Sequence, residues 1–588
     1  MSVKVAEITQ ATKQDDASSW VSALWSSYDG QRAQKKAEWL ELRNYIFATD
    51  TTSTSNNKAG WQNTTTIPKL CQIRDNLHSN YLSALFPNDQ WLSWMAFSAE
   101  AAKREKAETI KNYMANKTRE GGFRTEISKL LYDYIDYGNA FATPTFEARN
   151  KLLKDDTMVQ GYTGPKAVRI SPLDVVFNPL AASFQDSHKI IRSVKTIGEL
   201  MLMVENMPDQ EFWQAALDRR QGLNQLAGGT SAEDFEKATA YTVDGFGSLQ
   251  EYYMGENVEI LEFYGDYRDI ATGQLHTNMV VTVVDRSIVV RLEPMETWFV
   301  GAPIYHVGWR LRPDNLWAMG PLDNLVGMQY RLDHLENIKA DAKDLLINPP
   351  LAITGDVEEF VWGPNEEIHL DEGGSISEVT KSLQGIISAQ NEMEMLEQRM
   401  EMFAGAPREA MGIRTAGEKT LGEVMQLAGA SGRIFQEKIT HFEIELCEKL
   451  LNGMLETARR NMNESDTISS IDDDLGATAF RTITKEDITA NGVLRPVGAR
   501  HFAKQAQDLQ NLITIFNSPL GAKLEPHISG KELTKFVEDI TGLSGYKIFQ
   551  PNVALFEQQE TQGLANQANE DLEVQASQPA EGSIEGEL

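Results

Sequence analysis

Apolar residues recur every three to four positions through the first quarter of the chain, which is the period of an amphipathic helix. Trp20, Leu24 and Trp25, continued by Trp39 and Leu40, predict a helix over Ser18–Tyr45. A second is expected over Ile67–Leu85, and two more between Glu100 and Tyr137, with polar loops containing Asn and Gly between them. From Gly138 to Asn178 the pattern shifts to short strands, including Ala140–Phe146 and Ala167–Phe177, punctuated by Gly161, Gly164 and Pro165. Ile197–Leu217 reads as a helix. The clearest strand region is Asn257–Arg310, where Val280, Val281, Val283, Val284, Ile288 and Val289 flank a turn at Asp285-Arg286 and Ile304–Trp309 adds another strand.

Beyond Pro313 the helical period returns. Leu325, Met328, Leu332, Leu335 and Leu346 predict a helix over Asp323–Ile347 that stops before Pro349 and Pro350. Leu351–Lys381 alternates around Gly355, Gly363-Pro364 and Gly373-Gly374, and suits a short helix or strands at the tip of a helical hairpin. The return helix, about Gln384–Phe403, puts Met393, Leu396, Met400 and Phe403 on a packing face and Glu394, Glu397 and Glu401 on an acidic one. A Gly/Pro/Arg loop, Gly405–Gly417, then leads into a long helix from Glu418 to about Met462. Its buried stripe is Leu421, Val424, Ile434, Phe435, Ile439, Phe442, Leu446 and Leu450, with Gly429–Gly432 as the place for a kink. After a loop through Asp472–Asp474 a short strand pair is expected, then helices over Arg500–Asn517 and Gly530–Thr541. The end of the chain, from Phe556, has eight acidic residues and no Lys or Arg, so it is expected to be disordered or to fold only on a partner.

These elements make an α+β protein. At 588 residues it is long enough for two to four structural units, and its 41% hydrophobic and 24% charged residues are ordinary for a globular chain. The charge is not ordinary. Fifty-five Lys and Arg against 85 Asp and Glu leave a net −30, which repels phosphate chains and argues against a tight nucleic-acid clamp. The polar start, Met1–Trp20, lacks the apolar core of a signal peptide, and no stretch reads as a membrane span. Cys71 and Cys447, far apart in sequence, support no disulfide framework and read as buried thiols of a reducing compartment.

Enzyme chemistry finds little purchase. Gly412–Thr420 resembles a phosphate-binding loop, yet Glu418 stands where a lysine must follow Gly417, and a helix rather than a strand precedes it. A loop capping a helix is the simpler reading, with Thr415 or Thr420 near the start. Asp472–Asp474 lacks the alternating ligands of a calcium loop, and His369 with Asp371 and Glu372 has no second histidine nearby. The sequence therefore assigns no catalytic residue, no metal and no cofactor.

The order of these parts (sheet-bearing region, helix, short insert, helix, glycine-rich loop, long helix, helical end) resembles the portal proteins of tailed bacteriophages, particularly the short-tailed podoviruses. Arg169–Asn178 is similar to the family's strand entering the wing sheet. Gly320–Val326, running to Asn348-Pro349-Pro350, is similar to its first stem helix entering the clip, and Arg414–Val424 to its junction from tunnel loop to spine helix. The resemblance covers about residues 20–545 and rests on the order of short motifs. It implies a wing over 1–320, a first stem helix over 321–347, a clip over 348–382 and a second stem helix over 383–404. A tunnel loop over 405–417, a spine helix with return to the wing over 418–499, a crown over 500–555 and an acidic flexible tail over 556–588 follow.

The same resemblance implies a non-enzymatic homo-oligomeric ring, usually of twelve subunits, at one capsid vertex of the virion, assembled in the host cytoplasm. Double-stranded DNA would pass through it non-specifically during packaging and ejection. Terminase, tail adaptor, capsid and scaffolding proteins are the implied partners, with no membrane. Glu394, Glu397 and Glu401 would coat the channel, offering DNA no adhesive cations, while Arg408, Arg414 and Lys419 lie in or beside the loop nearest the duplex. In the clip, Glu358, Glu359, Phe360, Trp362, Glu366 and Glu367 combine aromatic anchors with an acidic rim suited to docking, or to packing against a neighbouring subunit. The rival expectations are a tail or baseplate adaptor without a stem hairpin, and a nucleotide-dependent packaging motor with an intact phosphate loop.

Overall fold

The computed structural model describes residues 11–47, 62–86, 91–97, 104–152, 158–204, 213–218, 257–269, 273–284, 286, 288–295, 301–355, 373–379, 383–405, 434–462, 465–471 and 478–497. The chain divides into two compact units, Met1–Ala499 and Arg500–Leu588, and every described residue belongs to the first. The expected crown helices and acidic tail lie outside the described residues.

The fold is mixed helix and sheet. Two helices, α1 (Ala11–Gln31) and α2 (Ala33–Phe47), stand where the apolar period predicts one. The break falls at Arg32, whose buried guanidinium pairs with Asp29 at 2.9 Å and donates to the carbonyls of Pro172, Leu173 and Val175 at 2.6, 2.6 and 2.8 Å. A reversing chain leaves several carbonyls without ladder partners, and one planar guanidinium with five donors satisfies three of them together. Trp25 and Val21 of α1 then pack on a five-stranded antiparallel sheet in the order β4 (Val175–Phe177), β5 (Lys189–Thr196), β6 (Asn257–Arg268), β7 (Leu275–Val284), β8 (Ile288–Pro294). The valine-rich run forms β7 and β8 as expected, with Val284 paired to Ile288 and Arg286 at φ 56° in the turn between them.

Strand β1 (Leu92–Ala96) pairs antiparallel with Gly492–Pro496, and a second sheet, in the order β3 (Met158–Ile170), β2 (Asn139–Leu152), β9 (Tyr305–Gly308), joins the largest core. That core also takes α3 (Lys69–Leu85), α4 (Arg104–Glu120) and α5 (Phe123–Asp136), close to where the sequence places them. The expected helix over Ile197–Leu217 is represented by α6 (Ile197–Val204) and a helical stretch at 213–218, with 205–212 outside the described residues. Of the long helix expected from Glu418, residues 434–442 are helical, Glu443–Glu448 make a π-helical turn and α9 (Lys449–Asn461) completes it; 418–433 lie outside the described residues.

One strand assignment needs correction. Ser465–Ile471 pairs antiparallel with Thr478–Thr484, so the strands flank Asp472–Asp474 instead of following it. Serine and threonine alternating with isoleucine are weak strand signals in isolation, and cross-strand pairing decides the outcome. Cys447 is buried as expected, whereas Cys71 is partly exposed beside Asp75.

Candidate functional site

The feature to which the sequence order points is a helical hairpin, whose inner residues Leu332, Leu335, Met393 and Met400 belong to the largest core. Its helices, α7 (Val326–Ile347) and α8 (Leu383–Ala404), have 22 residues each, which at ~1.5 Å per residue is about 33 Å. They pack against each other, crossed by an ion pair from Arg331 to Glu392 at 2.9 Å and a hydrogen bond from Lys339 to Gln390 at 3.0 Å. Two short strands, Leu351–Thr354 and Ser375–Glu378, pair antiparallel between the helices, which gives the strand form of the tip that the glycines and alternation suggest. The proposed docking residues Glu358, Glu359, Phe360, Trp362, Glu366 and Glu367 lie outside the described residues, as do Arg408, Arg414, Lys419 and the phosphate-loop-like Gly412–Thr420.

One flank of α7 is fixed along most of its length by a device the sequence reading misses. Residues 63–67 run extended along α7, antiparallel to it, and alternate backbone groups are met by side chains four residues apart on the helix. The Asn63 and Thr65 amides donate to Asp341 Oδ1 and Asn337 Oδ1 at 2.7 Å each, and the Ile67 amide donates to Asp333 Oδ1 at 2.9 Å. Asn337 Nδ2 returns a bond to the Thr65 carbonyl at 3.0 Å, and Gln329 Nε2 one to the Ile67 carbonyl at 2.5 Å. The match is geometric. Two residues of extended chain advance ~6.6 Å and four helical residues ~6 Å, so the two ladders stay in step over three rungs. The signal was present as polar residues at Gln329, Asp333, Asn337 and Asp341, a spacing of four that also describes an ordinary solvated face. Asp333 and Gln329 are instead fully buried, and burial pushes the Asp333 carboxyl up to about 6 against the pull of its Ile67 and Gln329 hydrogen bonds.

The acidic face of α8 divides along its length. Glu394 is exposed and accepts from Gln390 Nε2 at 3.1 Å. Glu397 is half-buried, 3.4 Å from Lys69 Nζ. Glu401 is 3% exposed, and its carboxylate lies 2.6 Å from the same buried ammonium. As a residue expected to coat an open channel, Glu401 is therefore corrected to a brace between α8 and the start of α3. Helical spacing does put all three carboxylates within about 60° of one another, but it cannot say which part of that face a neighbouring helix covers. The packing face is corrected at its end for the same reason: Met393 and Met400 are buried, while Phe403 is exposed and Ala404 takes the inward position.

Large apolar side chains remain uncovered along the hairpin. Ile387, Met395 and Met402 of α8 are 60%, 51% and 67% exposed, and their spacing confines them to an arc of about 80°. Tyr330, Ile338 and Ile347 of α7, Ile353 and Val379 at the tip, and Phe403 are exposed too. Together these are nine of the nineteen exposed large hydrophobics among the described residues, all on this hairpin. Scattered exposed apolar residues are normal on a globular surface, whereas so many on one hairpin, even with Asn391 and Gln398 between those of α8, point to a surface that a partner covers.

Among the described residues no three His, Cys, Asp or Glu side chains cluster to hold a metal ion, and no helix is long and apolar enough to cross a membrane. The chain matches no known protein family, and no curated protein matches it.

Proposed function

We propose that this chain is a ring-forming, DNA-conducting subunit of the portal type, with the hairpin of α7 and α8 as its stem. The observation that carries the reading is the exposed apolar arc on α8, in a hairpin whose α7 is anchored along most of its length. A lone hairpin cannot bury both its packing face and this second stripe, and identical neighbours related by rotation bury it repeatedly without an open end. The sheet-bearing body acts as the wing, and residues 348–382 as the clip.

In this reading the channel is lined from α8 by Glu394 and, in part, Glu397, while Glu401 serves the fold. Carboxylates release no counterions from DNA and make no phosphate contacts, so the duplex slides past them without adhesion. Arg408, Arg414 and Lys419 supply transient phosphate contacts from the tunnel loop, and Phe360 and Trp362 supply the anchors for terminase or a tail adaptor. Hydrolysis of ATP belongs to another polypeptide.

Sedimentation velocity of Met395→Glu tests the assignment of the stripe. The substitution places a charge on an exposed position, so the subunit keeps its circular dichroism spectrum and loses its large assembly. Assembly at the wild-type concentration would remove the stripe from the subunit interface. ATP turnover by the isolated wild-type protein would favour the motor alternative instead.

A further inference from the structure

Asparagine is a thermolabile residue, and its lability depends on the residue that follows it. An Asn–Gly step is the most reactive, because the next amide nitrogen has no side chain beside it and reaches the side-chain carbonyl carbon within the same molecule. The chain contains two such steps, Asn452-Gly453 and Asn491-Gly492. The fold treats them oppositely.

Asn452 lies in α9 with its whole side-chain amide engaged. Nδ2 donates to the Glu448 and Leu494 carbonyls at 2.6 and 2.9 Å, and Oδ1 accepts from the Leu494 amide at 2.8 Å. Gly453 belongs to the same helix, and a Cβ added there would lie 2.7 Å from the Tyr305 hydroxyl. Attack at this step requires breaking those bonds and opening a helical turn that is packed in the largest core.

Asn491 ends the turn before the strand paired with β1. Its carbonyl accepts from the Phe97 amide at 3.0 Å, and the Ala490 carbonyl accepts from Arg459 Nη2 at 2.9 Å, yet its side chain is exposed and makes no hydrogen bond among the described residues. The Gly492 amide is open as well. Phe97 donating to Asn491 and Val497 donating to Trp91 mark the bonded pairs of the ribbon, so Gly492 and Leu494 both turn their amides away from β1. Leu494 meets Asn452 Oδ1 on that edge, whereas Gly492 meets no partner among the described residues. Packing nevertheless requires glycine here, since an added Cβ would stand 2.5 Å from Trp94 Cζ2 and 2.6 Å from the Met95 carbonyl oxygen.

We propose that Asn491 is a site of spontaneous deamidation in the folded chain. The Gly492 nitrogen attacks Asn491 Cγ and gives up its proton, ammonia leaves with that proton, and water opens the resulting succinimide to aspartate or isoaspartate. One asparagine and one water thus yield one carboxylic acid and one ammonia. The product places a new carboxylate at the end of the ribbon, and the isoaspartate form also inserts a methylene into the main chain there. Among the described residues β1 has no other strand partner, so the change falls on the one pairing that holds it. The proposal is independent of ring formation.

The test is incubation of the full-length protein at mildly alkaline pH in water enriched in heavy oxygen, then proteolysis in ordinary water and peptide mass spectrometry, so that only acid formed during incubation carries label. Label is expected at Asn491 at least about tenfold faster than at Asn452, whose side-chain bonds must break first. In urea-unfolded protein the two rates are expected to agree within about threefold. Asn491→Gln, at an exposed position, must close a larger imide ring and is expected to leave its peptide unlabelled. Label at Asn491 no faster than at Asn452 in the folded protein, or label retained in Asn491→Gln, would overturn the proposal. A gap undiminished in urea would overturn it too, because sequence neighbours and not the fold would then set the rates.

Discussion

The pair of Lys69 and Glu401 decides whether the acidic stripe of α8 is one surface or two. Lys69 Nζ sits 2.6 Å from Glu401, 3.4 Å from Glu397 and 3.0 Å from Gln72 Oε1, and both members of the closest pair are at most 5% exposed. Removing one partner of a buried ion pair costs ~3–5 kcal/mol, because the remaining charge has left water without compensation. Glu397 and Gln72 stay within reach of the ammonium, so Glu401→Leu is expected to cost less, about 2–3 kcal/mol. Lys69→Met is expected to cost about 3 kcal/mol, since it leaves a carboxylate buried. The double variant, with no charge left at the contact, is expected to fall within about 1–2 kcal/mol of wild type, as apolar replacements of buried pairs commonly do. The coupling recovered from urea unfolding followed by tryptophan fluorescence is then about 3–5 kcal/mol. An exposed carboxylate on the same helix behaves differently, and Glu394→Gln is expected to change stability by less than about 0.5 kcal/mol. Coupling below about 0.5 kcal/mol between positions 69 and 401 would refute the brace and return Glu401 to the solvent-facing set.

Three further outcomes follow from the same contacts. The Asp333 carboxyl, raised from 3.8 to about 6 by burial, is protonated in the folded chain at a pH where the unfolded chain has already lost the proton, so ionisation penalises folding increasingly from pH 4 to pH 7. Asp333→Asn is therefore expected to gain about 2–3 kcal/mol relative to wild type across that range, read from urea midpoints at both ends, and a flat or falling difference would contradict the shift. Gly138 has φ 69° and its missing Cβ would meet the Gly320 amide nitrogen at 2.4 Å, so Gly138→Ala is expected to cost more than about 3 kcal/mol; Gly122, at φ 70° with open space, is expected to cost only about 1 kcal/mol, and equal thermal shifts would show that the close approach is not rigid. Asn337→Ala removes both bonds to Thr65 and is expected to cost about 2–4 kcal/mol in the same assay, with an effect below about 0.5 kcal/mol ruling out the ladder as the anchor of the hairpin.

The elements with strong internal periodicity were legible in the sequence. Leu332 and Leu335 mark the inner face of α7, Met393 and Met400 that of α8, and the Val280–Val289 run its own hairpin turn, because each depends on local spacing. What escaped depends on residues distant in the chain. Arg32, at the break between α1 and α2, is buried against carbonyls some 140 positions later that take its donors, and Asn337 is buried because an extended segment 272 positions earlier lies along it. Glu401 shares its helical face with Glu394 but not its neighbours. The ion pairs around one cleft are the extreme case, since Arg43, Arg74, Asp133 and Arg169 line it from four elements and no spacing joins them.

The central claim is closure into a ring with the hairpins inward, and end-on electron microscopy of the purified full-length protein tests it most directly. The account predicts class averages of a closed ring with one rotational symmetry and a central opening wide enough for a ~20 Å duplex, the α7–α8 hairpins surrounding that opening. Monomers at micromolar concentration, or a closed particle without an axial opening, would contradict it.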